Sequence, residues 1–148
     1  MRLKRWFTLL ICGGICATLL AVAGGLYNPY GSCLKGERVA KEYYLYSPSS
    51  QAKILSSPTF AECFFLTGET SAFRFSTEKE AAFYAEALLR EKKAQVVCEE
   101  RLAGARSIYA YVSGGAGGIL LFGARVNLHL VIKGAEVQVG TPIIFGGY

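Results

Sequence analysis

Arg125-Val126-Asn127-Leu128-His129-Leu130-Val131-Ile132-Lys133 is the stretch that decides how this chain folds. Val126, Leu128, Leu130 and Ile132 point one way along an extended strand. Arg125, Asn127, His129, Val131 and Lys133 point the other way, with the period of two expected of a half-buried strand. One-sided alternation of this kind predicts an antiparallel sheet with one face packed and one face open.

Upstream, Ile108, Ala110 and Val112 oppose Tyr109 and Tyr111 in the same manner, so residues 106–113 read as a second strand. Residues 94–99 and 118–123 complete a run of four strands, and residues 136–141 follow a Lys133-Gly134-Ala135 turn as a fifth. A helix precedes them. Thr77-Glu78-Lys79-Glu80 is a capping box, in which the Thr77 hydroxyl accepts from the Glu80 N–H and the Glu80 carboxylate reaches back. Ala81, Ala82, Tyr84, Ala85, Leu88 and Leu89 then form one apolar stripe. Glu86 and Arg90 make an i,i+4 pair, while Arg90, Lys92 and Lys93 oppose the negative end of the helix dipole. Before the helix, residues 62–66 and 72–75 read as a hairpin closed through Thr67-Gly68-Glu69-Thr70, and residues 41–50 as a short extended segment ending in a turn. The expected class is therefore α+β, a small antiparallel sheet with one main helix on one face, ordered as hairpin, helix and strand meander.

The start of the chain is of another kind. Arg2, Lys4 and Arg5 precede 21 uncharged residues, 6–26, which at helical rise cover about 30 Å, the thickness of a hydrocarbon core. Basic residues on the short side predict a cytoplasmic N-terminus and an exported domain, with Trp6 and Tyr27 at the two interfaces. Ala21-Val22-Ala23 is equally a cleavage signature behind a 15-residue apolar region, residues 6–20, which predicts a secreted domain instead. Both readings place the domain outside the cytoplasm. Residues 1–27 are thus an anchor or signal peptide, residues 28–41 a linker that mixes Pro, Gly, Ser and charge, and residues 42–148 the extracytoplasmic domain.

Composition narrows the function. The chain has 148 residues and a net charge of +5, of which the leader supplies three charges; the remainder holds 13 Lys and Arg against 11 Glu, and no Asp occurs. A domain so close to neutrality lacks the basic face that nucleic acid needs. One His and no C-x-x-C leave no ligand set for zinc, and no cofactor is expected. Cys63 and Cys98 either pair in an oxidising compartment or remain free thiols.

His129 is the only imidazole, on the polar side of its strand; as a general base it would lack an Asp to orient it. Ser113-Gly114-Gly115-Ala116-Gly117-Gly118 leads into a strand rather than a helix, so it reads as a hairpin tip and not a phosphate cradle. Glu99 and Glu100, adjacent on a strand, point to opposite faces and cannot share a substrate. Tyr109, Tyr111, Arg125, Asn127 and His129 would form one patch on the open face if their strands are neighbours. Aromatic and hydrogen-bonding side chains together suit a binding surface.

The stretch Arg125-Val126-Asn127-Leu128-His129-Leu130, followed by Val139-Gly140-Thr141-Pro142-Ile143-Ile144 and a terminal Tyr148, resembles the C-terminal end of the YwmB-like family. These are exported proteins of spore-forming bacteria whose fold is likened to that of the TATA-box-binding protein. The match covers about 25 residues. Members carry two related halves where this chain has room for one, so the resemblance implies a saddle completed by a homodimer. It implies no enzyme activity and carries over no functional residue.

The expected function is a membrane-tethered module that binds a protein or cell-envelope partner through its open face, with no nucleic-acid partner. The rival expectations are a small envelope-acting enzyme built on His129, and a self-associating structural component, spore-related for example, joined through an edge strand.

Overall fold

The computed structural model describes residues 30–32, 34–45, 53–115 and 117–144. The chain divides into two compact units, Met1–Ser32 and Cys33–Tyr148. Among the described residues no helix is long and apolar enough to cross a membrane. Residues 6–26, expected to span one, lie outside the described residues.

The second unit is a seven-stranded sheet carrying one α-helix among the described residues. Its strands are β1 (Glu37–Leu45), β2 (Lys53–Leu55), β3 (Leu66–Arg74), β4 (Gln95–Leu102), β5 (Ala105–Tyr111), β8 (Leu128–Lys133) and β9 (Glu136–Thr141), in the order β2-β1-β3-β9-β8-β5-β4. A separate two-stranded ribbon, β6 (Ile119–Leu121) and β7 (Ala124–Val126), is inserted between β5 and β8. Every neighbouring pair is antiparallel, as the alternation predicts.

Several local readings are corrected. Residues 62–66 are not a strand: Glu62–Phe65 is a 3-10 helix, and β3 runs unbroken through Thr67 to Thr70 where a hairpin turn was expected. Gly68 serves there for close approach, since a Cβ would meet Pro142 Cδ at 2.8 Å. Strand β1 starts at Glu37, so residues 37–41 belong to the sheet rather than to a linker. The final strands are no simple meander, because β9 closes against β3 from before the helix. The 125–133 stretch breaks at Asn127 into β7 and β8. The Gly-rich segment is not a hairpin tip; it carries the chain out of the main sheet into the β6–β7 ribbon. Of the two alternatives left open for Cys63 and Cys98, the structure has the free thiols.

The helix α1 (Glu78–Glu91) follows the expected cap. Thr77 is extended (φ −142°), its Oγ1 accepts from Glu80 N at 3.2 Å, and the Glu80 carboxylate accepts from Ser76 N at 3.1 Å. Ala81, Tyr84, Ala85, Leu88 and Leu89 are buried. Register puts Phe73, Val137 and Ile132 in one row across the sheet, and Ser71, Val139, Leu130 and Ile108 in the next. Tyr84 meets Phe73 edge-on at 6.1 Å and tilts against Phe75 at 5.1 Å, which identifies these rows as the face under the helix. Glu86 does not pair with Arg90. It reaches instead to Arg106 Nη1 at 2.7 Å, while the same guanidinium grips both oxygens of Glu99. This fork ties helix, β5 and β4 together and holds the Glu99 carboxyl below its usual range.

Opposite faces of α1 make unequal contributions to stability. Leu88→Ala, at a fully buried site, is expected to cost about 3 kcal/mol. Phe83→Ala, on the exposed side, should stay within about 0.5 kcal/mol. Urea unfolding of the two variants measures both.

Candidate functional site

The second face of the sheet, expected to be open, is buried at Tyr44, Thr70, Ser107, His129 and Val131. Two features account for it. Some of the polar atoms find partners within the fold, as where Tyr44 OH donates to Thr70 Oγ1 at 2.7 Å, whereas the buried Nε2 of His129 has no hydrogen-bond partner among the described residues. The chain also turns back after β9: the Thr141-Pro142 peptide is cis, and Ile144 lies on Gly140, where a Cβ would come within 2.6 Å of Ile144 Cγ1. Ile144 joins Ala105 and Val131 in a small apolar cluster.

This return segment meets His129. The Ile144 N–H donates to His129 Nδ1 at 3.1 Å, and the imidazole stacks on Tyr109 at 4.2 Å between ring centres, 16° from parallel. Tyr109 and His129 are cross-strand partners. They floor a cleft of about 170 Å³ walled by Leu121 and Phe122 of the β6–β7 ribbon and by Ile143 and Ile144. With Nδ1 accepting from a backbone N–H, neutral His129 carries its proton on Nε2. Burial opposes the charged form and lowers its pKa to about 4. Such an imidazole is neutral at physiological pH and too weak a base to draw a proton from an ordinary hydroxyl. The lining contains neither a carboxylate nor a nucleophilic thiol or serine.

The five residues expected in one patch have separate duties. Tyr109 and His129 form the floor of the cleft. Asn127 is buried with its amide turned to the backbone of Val112, accepting from the N–H at 2.7 Å and donating to the carbonyl at 2.9 Å; it pins the point where the ribbon leaves the sheet. Arg125 is exposed and donates to the Gly117 carbonyl at 2.6 Å, bracing the Gly-rich segment. Tyr111 is half-buried beside Gln95 of the outer strand β4 and does not line the cleft. Leu121, Phe122, Ile143 and Ile144 were missed by sequence reasoning, because no periodicity reports that a ribbon and a returning terminus converge on one strand.

The tip of the ribbon is unusual. Leu121 and Ala124 close a two-residue turn in which Phe122 and Gly123 both have positive φ, 51° and 79°. This turn favours Asn, Asp or Gly at its first position. A bulky side chain held there costs on the order of 1–2 kcal/mol. Phe122 and Leu120 are 73% and 75% exposed, so no packing within the fold offsets that cost. The outer edge strand β4, the natural site for self-association, carries Glu99, Glu100, Arg101 and a register shift between Val96 and Cys98, features that discourage edge pairing.

Comparison with protein-family models, with curated proteins and with solved structures gives no match to this chain.

Burial of neutral His129 sets a pH dependence. Between pH 6.5 and about 4 the unfolded chain takes up a proton that the folded one refuses. The contribution is complete above pH 6.5 and is lost as pH falls toward 4, amounting to about 3 kcal/mol. In urea titrations the wild type should lose more stability between pH 7 and pH 4.5 than His129→Asn, which keeps an acceptor for the Ile144 N–H and does not titrate. Parallel losses in the two proteins would show that burial of His129 does not set this dependence.

Proposed function

We propose that this chain is an extracytoplasmic binding module, tethered by residues 6–26 with its N-terminus in the cytoplasm, that takes an apolar side chain of a protein partner into the His129 cleft. The observation that carries the reading is Phe122. A large aromatic side chain sits exposed in a strained turn beside an aromatic-floored cleft, and backbone strain without local compensation accompanies function. Exposed aromatic residues at a cleft mouth are typical anchors of protein interfaces. At about 170 Å³ the cleft is smaller than the roughly 300 Å³ at which drug-sized ligand sites begin, and it suits a single side chain.

The address rests on the basic leader and the uncharged residues 6–26. The resemblance of residues 125–130 and 139–144 to exported YwmB-like proteins supports the same compartment.

A photo-crosslinking residue placed at Leu121, in the wall of the cleft, in the full chain, with Leu102 outside the cleft as a control, tests the binding site in intact cells. A discrete adduct is expected from position 121 and not from 102. Phe122→Asn should abolish it while raising stability by about 1 kcal/mol through relief of the turn. Equal adducts from both positions, or an adduct indifferent to Phe122→Asn, would remove the cleft from the reading. External protease should digest a C-terminal tag on spheroplasts; a protected tag would remove the exported address.

A further inference from the structure

A second concavity lies away from the cleft. It is a groove of about 740 Å³ between the first two turns of α1 and the residues that lead into β1, lined by Lys35, Phe75, Ser76, Lys79, Glu80, Phe83 and Tyr84. Its floor and wall are aromatic. Phe83 is 65% exposed on the side of α1 turned away from the sheet, where an amphipathic helix ordinarily carries a polar residue. Gly36 lets the incoming chain pass directly over Phe75, since a Cβ there would lie 2.7 Å from the ring.

The charges at the groove are unequal. Glu80 is committed to the Ser76 N–H as part of the helix cap. Among the described residues neither Lys35 nor Lys79 enters an ion pair. The groove thus offers two ammonium groups beside the exposed ring of Phe83, with Phe75 and Tyr84 buried at its floor. Cations for the headgroup and an aromatic ring among the upper acyl carbons are the combination with which peripheral helices grip anionic lipid.

Chain length supplies the location. Eight residues, 27–34, lie between Leu26, the end of the uncharged segment, and Lys35. Fully extended they reach about 30 Å, so a tethered domain holds Lys35 close to the bilayer surface whatever the course of the linker.

We infer that this groove docks the domain on the membrane by taking an anionic phospholipid of the outer leaflet, its headgroup between Lys35 and Lys79 and its upper acyl carbons against Phe83. The inference rests on the tether proposed above. Docking on this side orients the domain relative to the bilayer and limits which partners the His129 cleft can meet.

The test uses the full chain in lipid nanodiscs, with Trp6→Phe and Phe83→Trp so that the groove holds the sole indole. Discs contain phosphatidylcholine alone or phosphatidylcholine with phosphatidylglycerol, each with or without brominated acyl chains. Bromine quenching of the indole is expected to be several-fold stronger in the phosphatidylglycerol discs, to weaken with added salt, and to be lost in Lys35→Glu/Lys79→Glu. Equal quenching in both lipids, or quenching unaffected by charge reversal, would overturn the docking. A chain that elutes apart from the discs would refute the tether. Docking would then be decided on vesicles: an emission blue shift with phosphatidylglycerol but not phosphatidylcholine retains it, and no shift refutes it.

Discussion

Strand β9 enters the sheet last in sequence and lies near its centre, paired on one side with β3 and on the other with β8. Without it the strands before the helix and the strands after it are two separate antiparallel pieces, each with an open edge. The Arg74–Glu136 ion pair, 62 positions apart in sequence, marks how non-local this closure is. Burial under α1 depends on it too, because Val137 and Val139 fill the middle of the rows that Tyr84 and Leu88 cover. A sheet whose central pairing joins distant segments closes slowly, since loop entropy must be lost before the contacts form.

The same strand also builds the cleft. Gly140 pairs with His129 on one side and Thr70 on the other, and its missing side chain leaves room for Ile144 to turn back across the sheet. The Ile144 N–H then sets the tautomer of His129, and burial keeps the ring neutral. A residue that could titrate near neutrality becomes a flat, uncharged surface stacked on Tyr109. What lines the cleft is therefore mainly aromatic and aliphatic area rather than acid or base.

Two exposed phenylalanines frame the proposals, and their physical warrants differ. Phe122 stands out by backbone strain at a turn that disfavours it. Phe83 stands out by position, an aromatic on the solvent side of a helix whose other face supplies the packing. Neither contributes to the core, so both are free to be used for binding.

Much of the architecture was legible from local pattern. The capping box at Thr77 places the helix start, and the stripe through Tyr84 and Leu88 names its buried face. The alternation in 106–113 and 125–133 predicts antiparallel strands with Ile108 and Leu130 inward. Each signal is carried by neighbours within one or two turns or pleats, which is why one sequence displays it. The site was legible only in part. Tyr109 and His129 do meet, because strands adjacent after a short insertion tend to pair. Asn127 and Arg125 were misplaced, since alternation cannot tell a side chain facing solvent from one turned to a neighbouring backbone. The polar side of β8 looked open because its residues are polar; only the returning terminus and the inserted ribbon decide that it is covered. Net charge, helix position and strand alternation are sums over local sequence, and the sequence by itself determines them. The central place of β9, the neutrality of His129 and the convergence of Phe122 with Ile143 and Ile144 arise from segments distant in sequence, and only the tertiary structure decides them.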